Sequence, residues 1–167
     1  TISHSGQHLE RLLNDLLDLS RLEAGKLPVM MQPFDLRQFA SETRDLWQPK
    51  LDAKRVGLRI AISRQAEARI ESDAGRLRQI LFNLVSNAVK FTERGHVTVQ
   101  LATVPAGDGL SLVMTVADTG RGISDADKAR LFEAFEQADD TTSSTHGGTG
   151  LGLSIARALT RRLGGEI

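Results

Sequence analysis

The residues best suited to chemistry lie near the end of the chain, where Gly147, Gly148, Thr149, Gly150, Leu151, Gly152, Leu153 and Ser154 follow one another. Glycine has no Cβ, so its backbone can pass close to a ligand and take positive φ. The apolar stretch that follows, Gly150 to Leu163, is predicted to be a helix. Its unpaired N–H groups and the positive end of its dipole point back at the glycines. An anion suits such a corner, and phosphate is the usual one. A glycine cluster is also the composition of a flexible connector, so this reading needs support from elsewhere in the chain.

Two other segments point to the same ligand. Asp118-Thr119-Gly120-Arg121-Gly122-Ile123 follows Leu110–Ala117, a run rich enough in β-formers to predict a strand. A carboxylate at the end of an apolar strand is costly to bury without donors, and the exocyclic amino group of a base would supply one. Asp-Thr-Gly is also ordinary turn chemistry. Between Arg76 and Thr92, residues Leu77, Ile80, Leu81, Leu84, Val85 and Val89 recur at helical spacing and predict a buried face. Asn83, Asn87 and Lys90 fall at three- and four-residue steps and share another face. Two amides and an ammonium in a row can hold a hydrated divalent cation and a phosphate oxygen. On a helix standing alone, they would equally read as a solvated face.

In order and wording these segments resemble the catalytic, ATP-binding domain of sensor histidine kinases, within the GHKL superfamily that also holds type II topoisomerases, a heat-shock chaperone and MutL-type repair ATPases. Asn83-Leu-Val-Ser-Asn87-Ala-Val-Lys90-Phe-Thr resembles the family's N box, and Asp118-Thr-Gly120-Arg-Gly122-Ile its first glycine box. Leu131-Phe132-Glu-Ala-Phe135-Glu-Gln is similar to the phenylalanine box, and Gly148-Thr149-Gly150-Leu151-Gly152-Leu to the second glycine box.

The resemblance implies a role for each matching residue. Asp118 would accept a hydrogen bond from the adenine amino group, and Gly120 and Gly122 would let the loop pass over the base. Asn87 would ligate Mg²⁺, Asn83 would support the metal or its water shell, and Lys90 would contact phosphate. Gly148, Thr149, Gly150, Leu151 and Gly152 would line the phosphate tail of ATP with backbone donors. Phe132 and Phe135 would anchor a lid, read over the polar stretch Gln137–His146. His146 reads as a solvated lid residue. In the ATP-hydrolysing relatives the position of Asn83 is usually a glutamate that activates water. An amide is no general base, so asparagine implies transfer of the γ-phosphoryl group to a protein side chain.

The N-terminal segment supports the same choice. Leu9, Leu12, Leu16 and Leu19 alternate three- and four-residue steps, the seam of a helical bundle, and Leu13 and Leu17 widen it. Asp15 to Lys26 resembles the second helix of a histidine kinase's dimerisation and phosphotransfer domain. The expected organisation is therefore residues 1–25 as part of that domain and 26–167 as the catalytic domain. The resemblance implies a homodimer through the bundle and a response-regulator receiver domain as partner, in cis if the parent is a hybrid kinase. It puts the phosphate-accepting histidine on a helix before Thr1; His4 and His8 lack its setting. It also puts two more strands after Ile167, so a sheet edge is expected to be open.

Composition bounds the rest. Lys+Arg and Asp+Glu are both 21, so the net charge is +0, and the basic surface that nucleic acid binding rests on is not expected. There is no cysteine and thus no disulfide or thiolate metal site. No apolar run is of membrane length, which suits a cytoplasmic segment without membrane contact. The fold class read from the pattern is α/β, a two-layer sandwich of helices on a mixed β-sheet, preceded by a long bundle helix. Its expected elements are a strand near 29–32, a helix over 36–53 capped by Asp35 with Phe39, Leu46 and Trp47 facing the core, and strands near 57–63 and 68–71. The asparagine helix capped by Asp73, a hairpin of 95–104 with 110–117, and a helix capped by Ser124 complete the layout. Three other readings weigh less: a signalling scaffold without turnover, an ATPase of the same superfamily, and a dinucleotide-binding module. The last lacks the strand that should lead into its glycine loop.

Overall fold

The computed structural model describes Ser20, residues 27–133 and residues 150–167. The leucine seam, His4, His8, Phe135, the 137–146 stretch, Gly148 and Thr149 lie outside the described residues. Met30–Gly122 form one compact unit, and the described parts of Thr1–Val29 and Ile123–Ile167 belong to a second.

The first unit holds β1 (Gln32–Asp35), α1 (Leu36–Lys54), β2 (Gly57–Ile62), β3 (Arg69–Ser72), α2 (Ala74–Phe91), β4 (His96–Ala106) and β5 (Gly109–Asp118). Its main sheet is mixed. β4 lies in the middle, parallel to β2 and antiparallel to β5. β1 and β3 form a separate antiparallel pair. Both helices lie against the mixed sheet, α1 on β2 and α2 on β4 and β5, and they also touch each other.

Side-chain periodicity explains the layers. α1 buries Leu36, Phe39, Ala40, Thr43, Trp47 and Leu51 at three- and four-residue steps. Leu46 was expected in that stripe but falls one step outside it and is 46% exposed. α2 buries Leu77, Ile80, Leu81, Val85, Ala88 and Val89. Leu84 is only half-buried, and the smaller Ala88 closes the face in its place. Val97, Val99 and Leu101 of β4 meet them as alternating, fully buried residues.

Caps set the boundaries. Asp35 Oδ1 accepts from the N–H groups of Arg37 at 2.8 Å and Gln38 at 2.9 Å and starts α1. That helix ends with Arg55 at φ 59° while Val56 N donates back to Leu51 O at 2.9 Å. The first strand begins three residues later than the expected Val29, because Met30 N donates to Asp73 Oδ2 at 2.9 Å instead of joining a ladder. The hairpin is tighter than expected. Pro105 stays in β4, beyond Leu101, where β2 no longer pairs with it. The turn is only Gly107 and Asp108, with Gly107 at φ 56° supplying the left-handed residue a two-residue loop needs. β5 pairs only with β4 among the described residues, so its outer edge is open, with Leu110 and Val113 exposed.

The second unit holds α3 (Asp125–Arg130) and α4 (Gly152–Arg162). Ser124 caps α3 by accepting from Asp127 N at 3.1 Å. α4 begins two residues later than expected. It buries Ser154, Ile155, Ala156 and Leu159, and Arg162 donates to Leu27 O at 3.2 Å.

Candidate functional site

In the first unit, helix α2 and the turn after β5 bring the expected residues together. Asn83, Asn87 and Lys90 lie on one side of α2 and are each half-buried. Neither asparagine side chain is hydrogen-bonded among the described residues. Two half-buried amides a turn apart thus keep their carbonyl oxygens available to a hard cation and their N–H groups to anionic oxygen.

Asp118 ends β5 opposite Val97. It is exposed, at the open end of the edge strand β5. Its Oδ1 accepts from Gly120 N at 2.8 Å, an Asx turn that folds the chain back at once. Gly120 then passes over the C-terminal end of α2. A Cβ there would collide with Phe91 O and sit 2.8 Å from Asp118 Oδ1, so no other residue fits without a shift. Thr119 pins the turn from the other side. Its N–H donates to His96 O at 3.2 Å, and its hydroxyl accepts from His96 N at 3.0 Å and donates to Arg94 O at 3.2 Å. Gly122 follows at φ 74°.

Two cations share the ring of Phe91. Lys90 Nζ lies 4.9 Å and the Arg121 guanidinium 5.1 Å from its centroid. Partial burial, and secondarily the charge of Arg121, hold the Lys90 ammonium below its ordinary range. The charge of a polyanion beside Lys90 would offset both effects by favouring the ammonium. Lys54 of α1 donates to Val89 O at 2.6 Å and stabilises the carbonyl end of α2. Sequence reasoning passed over Arg121 and Thr119; their place inside the Asp118–Gly122 motif was the available signal.

In the second unit, Gly150 has φ 70° and Leu151, fully buried, is the N-cap residue of α4 and gives it no side-chain acceptor. Phe132 is half-buried and lies 5.8 Å from the Arg157 guanidinium of α4. Among the described residues no cluster of three His, Cys, Asp or Glu could hold a metal, and no helix is long and apolar enough to cross a membrane.

Comparison with known proteins agrees with this geometry. Residues 72–167 match the family described as histidine kinase-, DNA gyrase B-, and HSP90-like ATPase. The chain is 39% identical over 163 residues to the autoinducer 2 sensor kinase/phosphatase LuxQ of Vibrio cholerae, covering 98% of this chain and 19% of that protein. It is 40% identical over 168 residues to the signal transduction histidine-protein kinase BarA of Escherichia coli, covering 100% of this chain and 18% of BarA. The chain therefore spans about a fifth of the length of these curated relatives. The crystal structure of full-length ShkA in complex with AMPPNP superposes with a TM-score of 0.83 at 37% identity, over 96% of this chain and 32% of ShkA.

Proposed function

The chain belongs to the histidine kinase-, DNA gyrase B-, and HSP90-like ATPase family, and on that premise we propose that it is the ATP-binding catalytic part of a two-component sensor histidine kinase. The observation that carries this reading is the Asp118–Gly120 turn seated on the end of the helix that displays Asn83, Asn87 and Lys90. That juxtaposition offers a carboxylate for a base and, beside it, amides and an ammonium for a metal-bound polyphosphate.

Asp118 Oδ1 already holds Gly120 N, so the carboxylate is oriented before ligand arrives, and a carboxylate has further lone pairs to accept an adenine amino proton. It selects adenine over guanine, whose keto group at that position offers no donor. Asn83 and Asn87 fit Mg²⁺ as amide-oxygen ligands supplemented by water and substrate, the mode that ion favours over an all-protein cage. When bound, the ion supplies charge neutralisation at the phosphate oxygens. Asn87 would ligate it, Asn83 would support its water shell, and Lys90 would contact phosphate. Because Asn83 is no base, water beside the γ-phosphate is not activated. The phosphoryl group goes instead to a histidine outside this chain, and from there to an aspartate of a receiver domain.

On the family resemblance, Gly148, Thr149, Gly150, Leu151 and Gly152 give backbone donors to phosphate, and Phe132 and Phe135 anchor the segment between the two motifs. The same resemblance assigns residues 1–25 to a dimerising helical bundle, residues 26–167 to the catalytic domain and this portion to the cytoplasm, with a response-regulator receiver domain as partner in cis or in trans. The names of LuxQ and BarA as sensor and signal-transduction kinases, and of ShkA as an AMPPNP complex, support the nucleotide and the reaction class.

Thermal unfolding with and without ADP plus Mg²⁺, beside Asp118→Asn, tests this. Ligand at about a hundred times its dissociation constant adds roughly 2.7 kcal/mol, several degrees for a domain of this size. Losing the charge-assisted bond to adenine costs about 1.5–3 kcal/mol, roughly ten- to more than a hundredfold in affinity. A cooperative transition that ADP and Mg²⁺ leave unmoved would overturn the nucleotide site. Phosphate release without an acceptor would move the chain to the ATPases.

A further inference from the structure

Away from the nucleotide residues, α1, the end of β2 and the segment 63–68 that follows it line an open groove of about 490 Å³ that nothing in the proposed reaction uses. Ala40, Ile60 and Ile62 line its apolar part. Arg37, Arg44 and Arg64, all exposed, stand around it with Glu67 as the one carboxylate. None of the three arginines is in a salt bridge among the described residues.

The groove runs beside an open sheet edge. Among the described residues β2 pairs with β4 alone. Gly57 N donates to Gly95 O at 2.8 Å and Ser63 N to Leu101 O at 2.8 Å, so the odd-numbered residues of β2 direct their backbone groups to β4. By alternation Leu58, Ile60 and Ile62 direct theirs outward. Among the described residues the hydrogen bond on that side is long: Arg44 Nη2 reaches Ile60 O at 3.4 Å, a distance at which a hydrogen bond is weak and readily exchanged.

We propose that this edge and groove together receive an extended acidic peptide segment, added to the sheet as a strand beside β2. Main-chain bonds to Leu58, Ile60 and Ile62 hold its backbone, alternate apolar side chains enter the groove, and its carboxylates meet Arg37, Arg44 and Arg64. A small anion would need only the arginines and would leave the row of outward N–H and C=O groups unused. Three arginines against one carboxylate select an acidic partner over a basic one.

The probe is a fluorescein-labelled peptide of alternating valine and glutamate, titrated by anisotropy, with hydrogen exchange measured at the amides of Leu58, Ile60 and Ile62. The expected result is saturable binding, slowed exchange at those three amides, and affinity lower by about tenfold or more in Arg44→Glu. Ile60→Pro removes an N–H that faces outward and leaves the ladder to β4 its bonds, and it too should lose binding. No binding, or binding that leaves the three amides unprotected, overturns the proposal. Binding that survives Ile60→Pro overturns it as well, as does displacement by free glutarate at concentrations matching the peptide, which would make the groove a small-dicarboxylate site. Should Ile60→Pro not fold, exchange at Leu58 and Ile62 in the parent chain decides.

Discussion

The two ends of helix α2 are built on opposite terms. At the first, Asp73 is buried and both carboxylate oxygens are spent: Oδ1 accepts from Arg76 N at 3.0 Å and Oδ2 from Met30 N at 2.9 Å. At the second, Lys90 and Arg121 share the ring of Phe91, Gly120 presses on its carbonyl, and Thr92 is fully buried with a hydroxyl that has no hydrogen-bond partner among the described residues. One end closes its polar groups on one another, as structural caps do. The other keeps cations close together and polar groups in reserve, which stability alone would not select and a polyanionic ligand would repay.

If that contrast is right, the largest loss of stability comes from the closed end. Asp73→Ala removes a cap and leaves Met30 N without its partner, and should cost about 2–3 kcal/mol in urea unfolding. Burial alone would raise the Asp73 pKa, but the hydrogen bonds from Met30 and Arg76, with the charge of Arg76, together outweigh it and hold it below the ordinary 3.8. Because the folded-state value is lowered, this contribution is fully present above pH 3.8 and is lost as pH falls through the folded value. Asp73→Asn should therefore flatten acid unfolding in that range. Where the variant is folded, its affinity for ADP and Mg²⁺ should match the parent's; a large loss would mean the two ends are not independent.

Gly120→Ala comes next, at about 2 kcal/mol, since its methyl must push the turn off Phe91 O. The same movement displaces Asp118, so stability and ADP affinity should fall together. A fall in stability alone would detach the turn from the site.

Lys90→Gln should split the two quantities. Affinity for ADP and Mg²⁺ drops about tenfold with the loss of a charged contact to phosphate, while the ligand-free protein loses no stability. The lowered pKa gives the sign. Between that value and 10.5 the unfolded chain binds more protons than the folded one, so stability rises as pH climbs through that window. Lys90→Gln should abolish that rise. ADP affinity should fall over the same pH span in the parent as the ammonium is lost.

How legible this was in the sequence differs along the chain. Asp35, Asp73 and Ser124 were readable as caps because each acts on backbone within three residues of itself. The faces of α1 and α2 followed from period, except at Leu46 and Leu84, which flank the buried stripes where exposure depends on what the neighbouring element covers. The start of β1 was misplaced because Met30 is held by Asp73, a contact forty-three positions away that no local pattern records. The mixed sheet was legible, but the separate pairing of β1 with β3 was not, being a matter of register between distant segments. At the candidate site, the amides and Asp118 were named from spacing and resemblance. That Gly120 rests on Phe91, and that Arg121 joins Lys90 over one ring, depends on how β5 is aligned with α2 and emerged only in three dimensions.

Thr92 gives the smallest effect and the sharpest use of the comparison. Its hydroxyl is the one buried side-chain oxygen or nitrogen without a hydrogen-bond partner among the described residues, and it follows directly on the last turn of α2. A buried hydroxyl without a partner carries a desolvation cost that a methyl of similar size avoids. Thr92→Val should therefore raise the urea midpoint by the equivalent of about 1 kcal/mol. A substitution that improves folding at a fully buried position is informative only if something else is lost. If ADP affinity falls while stability rises, the hydroxyl is held in reserve for the bound state, as Lys90 is. If stability rises and affinity is unchanged, the hydroxyl is a packing defect and the contrast between the two ends rests on the cations alone. If stability falls, the hydroxyl has a partner in solution, and the second end of the helix is as closed as the first.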